Sequence, residues 1–134
     1  MSYIKLNNRV FDADVIITRY ARNFNVLDGE NTGRSIGDGV MIRDIIGTYI
    51  GHKITVCRRG DNYAGLDELW DYLVEHSVDA DGVLLEAADG QTTISYQAYY
   101  TSGTQEIERV TNGINYWGEI EVSFIPMRAQ VTPQ

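Results

Sequence analysis

The chain has a single cysteine, Cys57, among its 134 residues. An internal disulfide is therefore excluded, and so is a zinc cage built on cysteines. Cys57 closes an apolar stretch and reads as a buried structural thiol, not a nucleophile. There are only two histidines, which leaves little material for acid–base or metal chemistry. His52 has neither a second histidine nor a carboxylate at ligand spacing, and reads as a surface or strand-edge residue. No apolar run approaches the ~18 residues of a membrane span. The opening MSYIKLNNRV lacks the continuous apolar core of a signal peptide, which implies synthesis and folding in a cytosol. Basic residues are also scarce: 11 Lys and Arg stand against 19 Asp and Glu, for a formal charge of −8 and a sequence pI of 4.6. A nucleic-acid clamp needs a basic face, so that class is disfavoured. A surface past which a polyanion slides without sticking is not. The simplest reading of the charge is solubility.

Catalytic signatures are missing as well. There is no GxxxxGKS/T or GxGxxG phosphate cradle; GENTGRSIGDG lacks the lysine and does not run from a strand into a helix. No GxSxG, HExxH or CxxC occurs. A Ser–His–Asp site would have to use His52 or His76, and the spacing supports neither. Val78–Gly82 contains DxDG, but the later ligands and closing glutamate of a calcium loop are absent. No catalytic residue, metal ligand or cofactor is assigned, and an enzyme is not expected.

What the chain does contain is β-forming sequence. Nine tyrosines and 13 glycines against two prolines favour strands joined by tight turns. A length of 134 residues with 43% hydrophobic content suits one ordered domain over residues 1–134. The organising stretch is Leu27–Gly39, LDGENTGRSIGDG. It separates two strand-like segments, Asp14–Val26 and Val40–Val56, and the whole (about residues 14–56) reads as one long hairpin arm. Gly29, Gly33, Gly37 and Gly39 offer positive-φ freedom at its tip, and Asp28, Asn31 and Asp38 suit turns. With Glu30 and Arg34, these residues form a charged tip suited to contacts across a subunit boundary. Ile16, Thr18 and Tyr20 fall on one strand face, and Val15, Ile17 and Arg19 on the other. In Val40–Val56, Gly47 and Gly51 mark either a bulge or bend, or a junction between two strands.

Before the arm, Ser2–Leu6 alternates as a short edge strand, and Asn7-Asn8 is a turn ahead of Val10–Phe11. After it, Arg58–Asn62 breaks the strand and Tyr63–His76 is the one helix, with Asp61 or Asn62 as its cap and acidic residues in its first turns. Leu66, Leu69, Trp70 and Leu73 form its apolar stripe and core anchors. Asp67, Glu68, Asp71 and Glu75 make a solvated opposite face. Two hairpins follow. Val83–Ala87 and Thr92–Tyr100 turn at Asp89-Gly90; Gln105–Val110 and Tyr116–Ile125 turn at Asn112-Gly113. In the last strand Ile120, Val122 and Phe124 oppose Glu119, Glu121 and Ser123. Pro126 ends it, and residues 127–134 read as a tail. With no βαβ repeat, the fold class is mainly β with one α-helix: an antiparallel β-sandwich or split barrel with a long protruding hairpin.

The order of GRSIGDGVMIRDIIGT, a Lys53–Val56 strand, the LDELWDYL helix and a closing WGEIEVSFI strand resembles small structural proteins in the tail modules of phages that infect Gram-positive bacteria, and the wider tail-tube and distal-tail superfamily. The resemblance covers about residues 2–126 and is best at Arg34, Gly39 and Trp117. It implies a tail-tube-like fold in a virion component that assembles with itself, usually as a sixfold ring, and with neighbouring tail proteins. DNA would pass through the lumen without specific binding, and the arm would reach an adjacent subunit or ring. The expected role is a distal-tail or baseplate ring subunit, with the major tail tube subunit as the alternative. A different class is a monomeric adaptor or carbohydrate-binding sandwich, with Tyr96, Tyr99, Tyr100, Tyr116 and Trp117 as a stacking platform.

Overall fold

The computed structural model describes residues 3–12 and 15–133. Ser2, at the start of the first expected strand, Asp14, at the start of the expected arm, and Gln134 lie outside them. In chain order the elements are β1 (Ile4–Leu6), β2 (Arg9–Phe11), β3 (Val15–Asp28), β4 (Gly33–Arg34), β5 (Met41–Ile42), β6 (Ile45–Arg58), α1 (Tyr63–His76), β7 (Val83–Asp89), β8 (Thr92–Tyr99), β9 (Gly103–Thr111) and β10 (Ile114–Pro126). The protein is mainly β with one helix, and every strand pairing is antiparallel.

The strand order is β2-β1-β7-β8-β10-β6-β3, with β9 on the second edge of β10. β10 joins two layers. Ile120–Phe124 pairs with His52–Val56 of β6, Ile114–Val122 pairs with β9, and Ile125 and Pro126 pair with Tyr99 and Ala98 of β8. Its strict alternation places Ile120, Val122 and Phe124 inside and the intervening residues outside, as period-2 patterning requires. α1 closes the interior with Leu66, Leu69 and Leu73, and Trp70 packs at its margin, only partly buried. Asn62 caps α1 by accepting the Gly65 N–H at 2.9 Å. No acidic residue sits in the first turn; Asp67 and Glu68 come one turn too late to oppose the dipole.

Several local expectations change. β1 is not an edge strand: it lies between β2 and β7. Asn7 and Asn8 both take positive φ, 52° and 67°, which lets β2 fold back and become the edge. In β3 the register steps between Ile17 and Arg19, so Thr18 is a bulge residue, its hydroxyl donating to the Thr55 carbonyl at 3.2 Å. The bulge moves Tyr20 onto the inner face with Val15 and Ile17. The second arm segment divides at Arg43-Asp44, between β5 and β6; an expected bulge does fall beside Gly47, where Leu27 pairs with Gly47 and Asp28 with Ile45, and none falls at Gly51. Those two glycines serve close approach. A Cβ on Gly51 would stand 2.9 Å from the Phe124 carbonyl oxygen, and one on Gly47 2.8 Å from that of Val131.

The C-terminal segment is docked, not free. Thr48 donates its N–H to Val131 at 2.8 Å. The Gln130 side-chain amide accepts from the Ile50 N–H at 2.9 Å and donates to its carbonyl at 3.0 Å. One side chain thus stands in for a paired strand residue.

Candidate functional site

β10 covers β6 only from His52 to Val56. From Gly51 to Ile45 the β3–β6 hairpin runs on as an arm. Cross-strand partners share a face, so the inner face continues outward through Tyr20/Ile54, Arg22/His52, Phe24/Ile50 and Val26/Thr48. The first pairs are in or against the core; further out the face opens, with Phe24 71% and Val26 38% exposed. The β6 side of the arm is sealed by Gln130 and Val131, while the outer edge of β3 pairs with no strand among the described residues.

The tip is a small hairpin of its own. β4 pairs with β5, Ser35 donates to the Val40 carbonyl at 2.7 Å, and Gly39 donates to Ser35 at 2.9 Å. Of the four tip glycines only Gly39 uses positive φ, at 73°; Gly33 and Gly37 face open space, and Gly29 lies against Asp44. Asp38 accepts the Val40 N–H at 3.0 Å; that bond, with one from Ser35, holds its carboxyl below the usual range. Arg34 donates to the Gly39 carbonyl at 3.1 Å, and Arg43 pairs with Asp28 at 2.8 Å. Glu30 is exposed. These charges therefore largely stabilise the tip internally, while Ile36, Val40, Met41 and Ile42 project apolar surface from it. A contiguous exposed apolar surface marks a contact site.

The arm's base is pinned by a buried polar network. His52, read from sequence as a surface or edge residue, is fully buried. The reason is tertiary: β7 and β8 supply partners 36 and 44 residues away. Its Nε2 lies 2.9 Å from the Ala88 carbonyl oxygen, which can only accept, so Nε2 carries the proton. Nδ1 therefore accepts from the Tyr96 hydroxyl at 2.7 Å. Tyr20 adds a bond from the Ala88 N–H at 3.0 Å and packs edge-on against the His52 ring. Burial holds the imidazole below its usual range; the Ala88 bond and Asp89 oppose that shift, and Arg22 adds to it. Burial also raises the Tyr96 hydroxyl strongly. Arg22 pairs with Asp89 at 3.0 Å just outside.

The second open edge is β9, which among the described residues pairs only with β10. Glu106, Glu108, Glu119 and Glu121 line a groove on this layer; Arg58 and Lys53 neutralise Glu108 and Glu121 at 3.1 and 2.8 Å. The expected tyrosine platform does not form. Tyr96 and Tyr100 are in the core, and the Tyr100 hydroxyl, pushed up to about 12 by burial, donates to the Leu73 carbonyl at 2.6 Å. Tyr99 points the other way, and Tyr116 is engaged by Tyr63 and Arg109. Trp117 and Tyr99 keep exposed surface on different strands, and Trp117 lines a groove with Trp70, which packs against the margin of the core. Cys57 is half-buried and donates to the Arg58 carbonyl at 3.5 Å; burial pushes its thiol up, the opposite of an activated nucleophile. No cluster of three or more metal-ligating side chains occurs among the described residues, and no helix there is long and apolar enough to cross a membrane.

No protein-family model matches the chain, and no curated protein matches it in sequence. Among solved structures it is similar to the SPP1 Dit protein (gp 19.1), described as a paradigm of the hub adsorption apparatus in phages infecting Gram-positive bacteria. The TM-score is 0.53 at 10% identity, over 95% of this chain. The chain spans about half the length of that protein, 50% of which is covered. At this identity the likeness is one of fold alone.

Proposed function

We propose that this chain is a structural subunit of a phage tail that closes with copies of itself into a ring of the distal-tail or baseplate kind around the DNA channel. The observation that carries the reading is the layer β9-β10-β6-β3, open at both sides among the described residues. Two long unpaired edges are a liability in a lone subunit. Pairing β3 of one copy with β9 of the next is a head-to-tail contact, and such contacts close into rings when the rotation fits. The Dit-like fold supports this reading. Sixfold closure is the expected symmetry.

The arm then reaches a neighbouring subunit or ring and buries Phe24 and the apolar residues of the tip. Asp28, Gly29, Glu30, Gly33, Arg34, Gly37, Asp38 and Gly39 shape that tip for contact. Net acidity near the channel lets DNA slide without specific binding. The subunit works as a single domain in the virion, without catalysis or cofactor, alongside other tail proteins.

Negative-stain electron microscopy of the purified full chain tests this. Discrete rings support the distal role. Tubes of indefinite length favour the major tail tube subunit, and persistent monomers in the presence of tail partners count against assembly altogether.

A further inference from the structure

The chain has two tryptophans, and both stand on one groove. Trp70 of α1 and Trp117 of β10 line about 550 Å³ of open space with Asp67, Asp71, Gln105 and Asn115. Trp117 is 37% exposed although it is the largest side chain type available for burial. Asp67 and Asp71 lie one helical turn apart and join none of the ion pairs among the described residues, whereas the intervening Glu68 is taken by Arg9. The Asn115 side chain is likewise unengaged there. Gln105 gives its Nε2 to the Gly118 carbonyl at 2.9 Å, which fixes the side chain and leaves Oε1 as an acceptor.

We propose that this groove binds a neutral saccharide. Indole faces offer flat apolar surface to the C–H faces of a pyranose ring. Two carboxylates accept from vicinal hydroxyls in charge-assisted bonds, and Asn115 both donates and accepts. The space falls within the roughly 300–1,000 Å³ of small-molecule sites. Phosphorylated and nucleic-acid ligands are repelled by the uncompensated acids, and an apolar peptide would strand four polar side chains. An organic cation is the competing occupant, since indoles and carboxylates attract it too. Asn115 favours the sugar, because a cation leaves its N–H group unused. This inference does not rest on ring assembly.

Intrinsic fluorescence reads this groove directly, because no tryptophan lies elsewhere. The full chain is titrated with neutral oligosaccharides of hexose and N-acetylhexosamine units, and in parallel with arginine amide and tetramethylammonium. The expected result is a saturable change with at least one saccharide. Affinity falls at least about tenfold in Trp117→Ala and in Asp71→Asn, while Trp117→Phe retains most of it; unchanged circular-dichroism melts show that the variants fold. No saturable response to any saccharide at about 10 mM overturns the proposal. So does a response confined to the cations, or saccharide binding that both variants leave unaltered.

Discussion

His52 Nδ1 and the Tyr96 hydroxyl meet at 2.7 Å in the core, joining β6 at the base of the arm to β8 in the other layer. Protonated His52 has no lone pair to accept that bond, and the charge would be buried. The folded protein therefore keeps the ring neutral below the usual imidazole range.

The sign of the pH effect follows. An unfolded His titrates near about 6.5. Below that pH the unfolded chain binds a proton that the folded chain refuses, so stability falls as pH falls. Urea unfolding at pH 7.5, 6.5 and 5.5 will show decreasing stability. The part of that slope due to His52 will vanish in His52→Phe, which itself loses about 1–3 kcal/mol for each buried group left unpaired, the Tyr96 hydroxyl and Ala88 carbonyl being the candidates.

Gly47→Ala will undock the C-terminal segment. The new methyl would stand 2.6 Å from the Ala129 Cβ and 2.8 Å from the Val131 carbonyl oxygen, so one chain must move. The expected loss is about 1–3 kcal/mol, typical of overpacking. Hydrogen exchange at the Thr48 and Ile50 amides will speed up, since Val131 and Gln130 protect them. Gln130→Ala should expose Ile50 but leave Thr48 protected.

Gly82→Ala will be more damaging. Gly82 combines a φ of 72° with direct approach to the Ala98 carbonyl of β8. Left-handed backbone alone costs an L-residue about 1–2 kcal/mol, and the collision adds to it. Thermal melts will show a larger fall than for Gly90→Ala, where φ is 60° but space is open. The DxDG turn that invites a calcium reading is thus explained by strand packing.

Replacing the tip between Glu30 and Arg43 by a short Asn-Gly turn will change the stability of the body by less than about 1 kcal/mol, because the tip's bonds are largely internal and its apolar side chains touch solvent. Denaturant midpoints check this. If the arm is an assembly element, the same variant will fail to form the complexes of the intact chain.

Local rules carried much of the fold. α1 occupies Tyr63–His76 as its periodicity predicts, and the turns at Asp89-Gly90 and Asn112-Gly113 join strands where the alternation places them. β10 alternates without exception from Ile120 to Pro126. What local pattern could not carry was partnership over distance. His52 looks like any polar strand residue until β7 and β8 close over it. Gln130 acts as a strand residue only because Ile50 lies beside it, and Gly47 and Gly51 suit bends as well as close approach. A tyrosine-rich stretch says nothing about which rings turn inward, and the groove that Trp70 and Trp117 share brings together residues 47 positions apart, which no local pattern reveals. The hairpin arm was legible, because two long β-forming segments flank a turn-rich stretch; the β4–β5 ladder inside its tip was not, being two residues on each side.

The most direct test of the account is the solution mass of the full chain by light scattering, alongside Phe24→Asp. The subunit is 15.1 kDa. Self-assembly through the arm and the open edges predicts a discrete multiple of that mass for the native chain and a collapse towards the single-subunit mass in the variant. A native chain that stays at 15.1 kDa at every concentration, with or without other tail proteins, would contradict it.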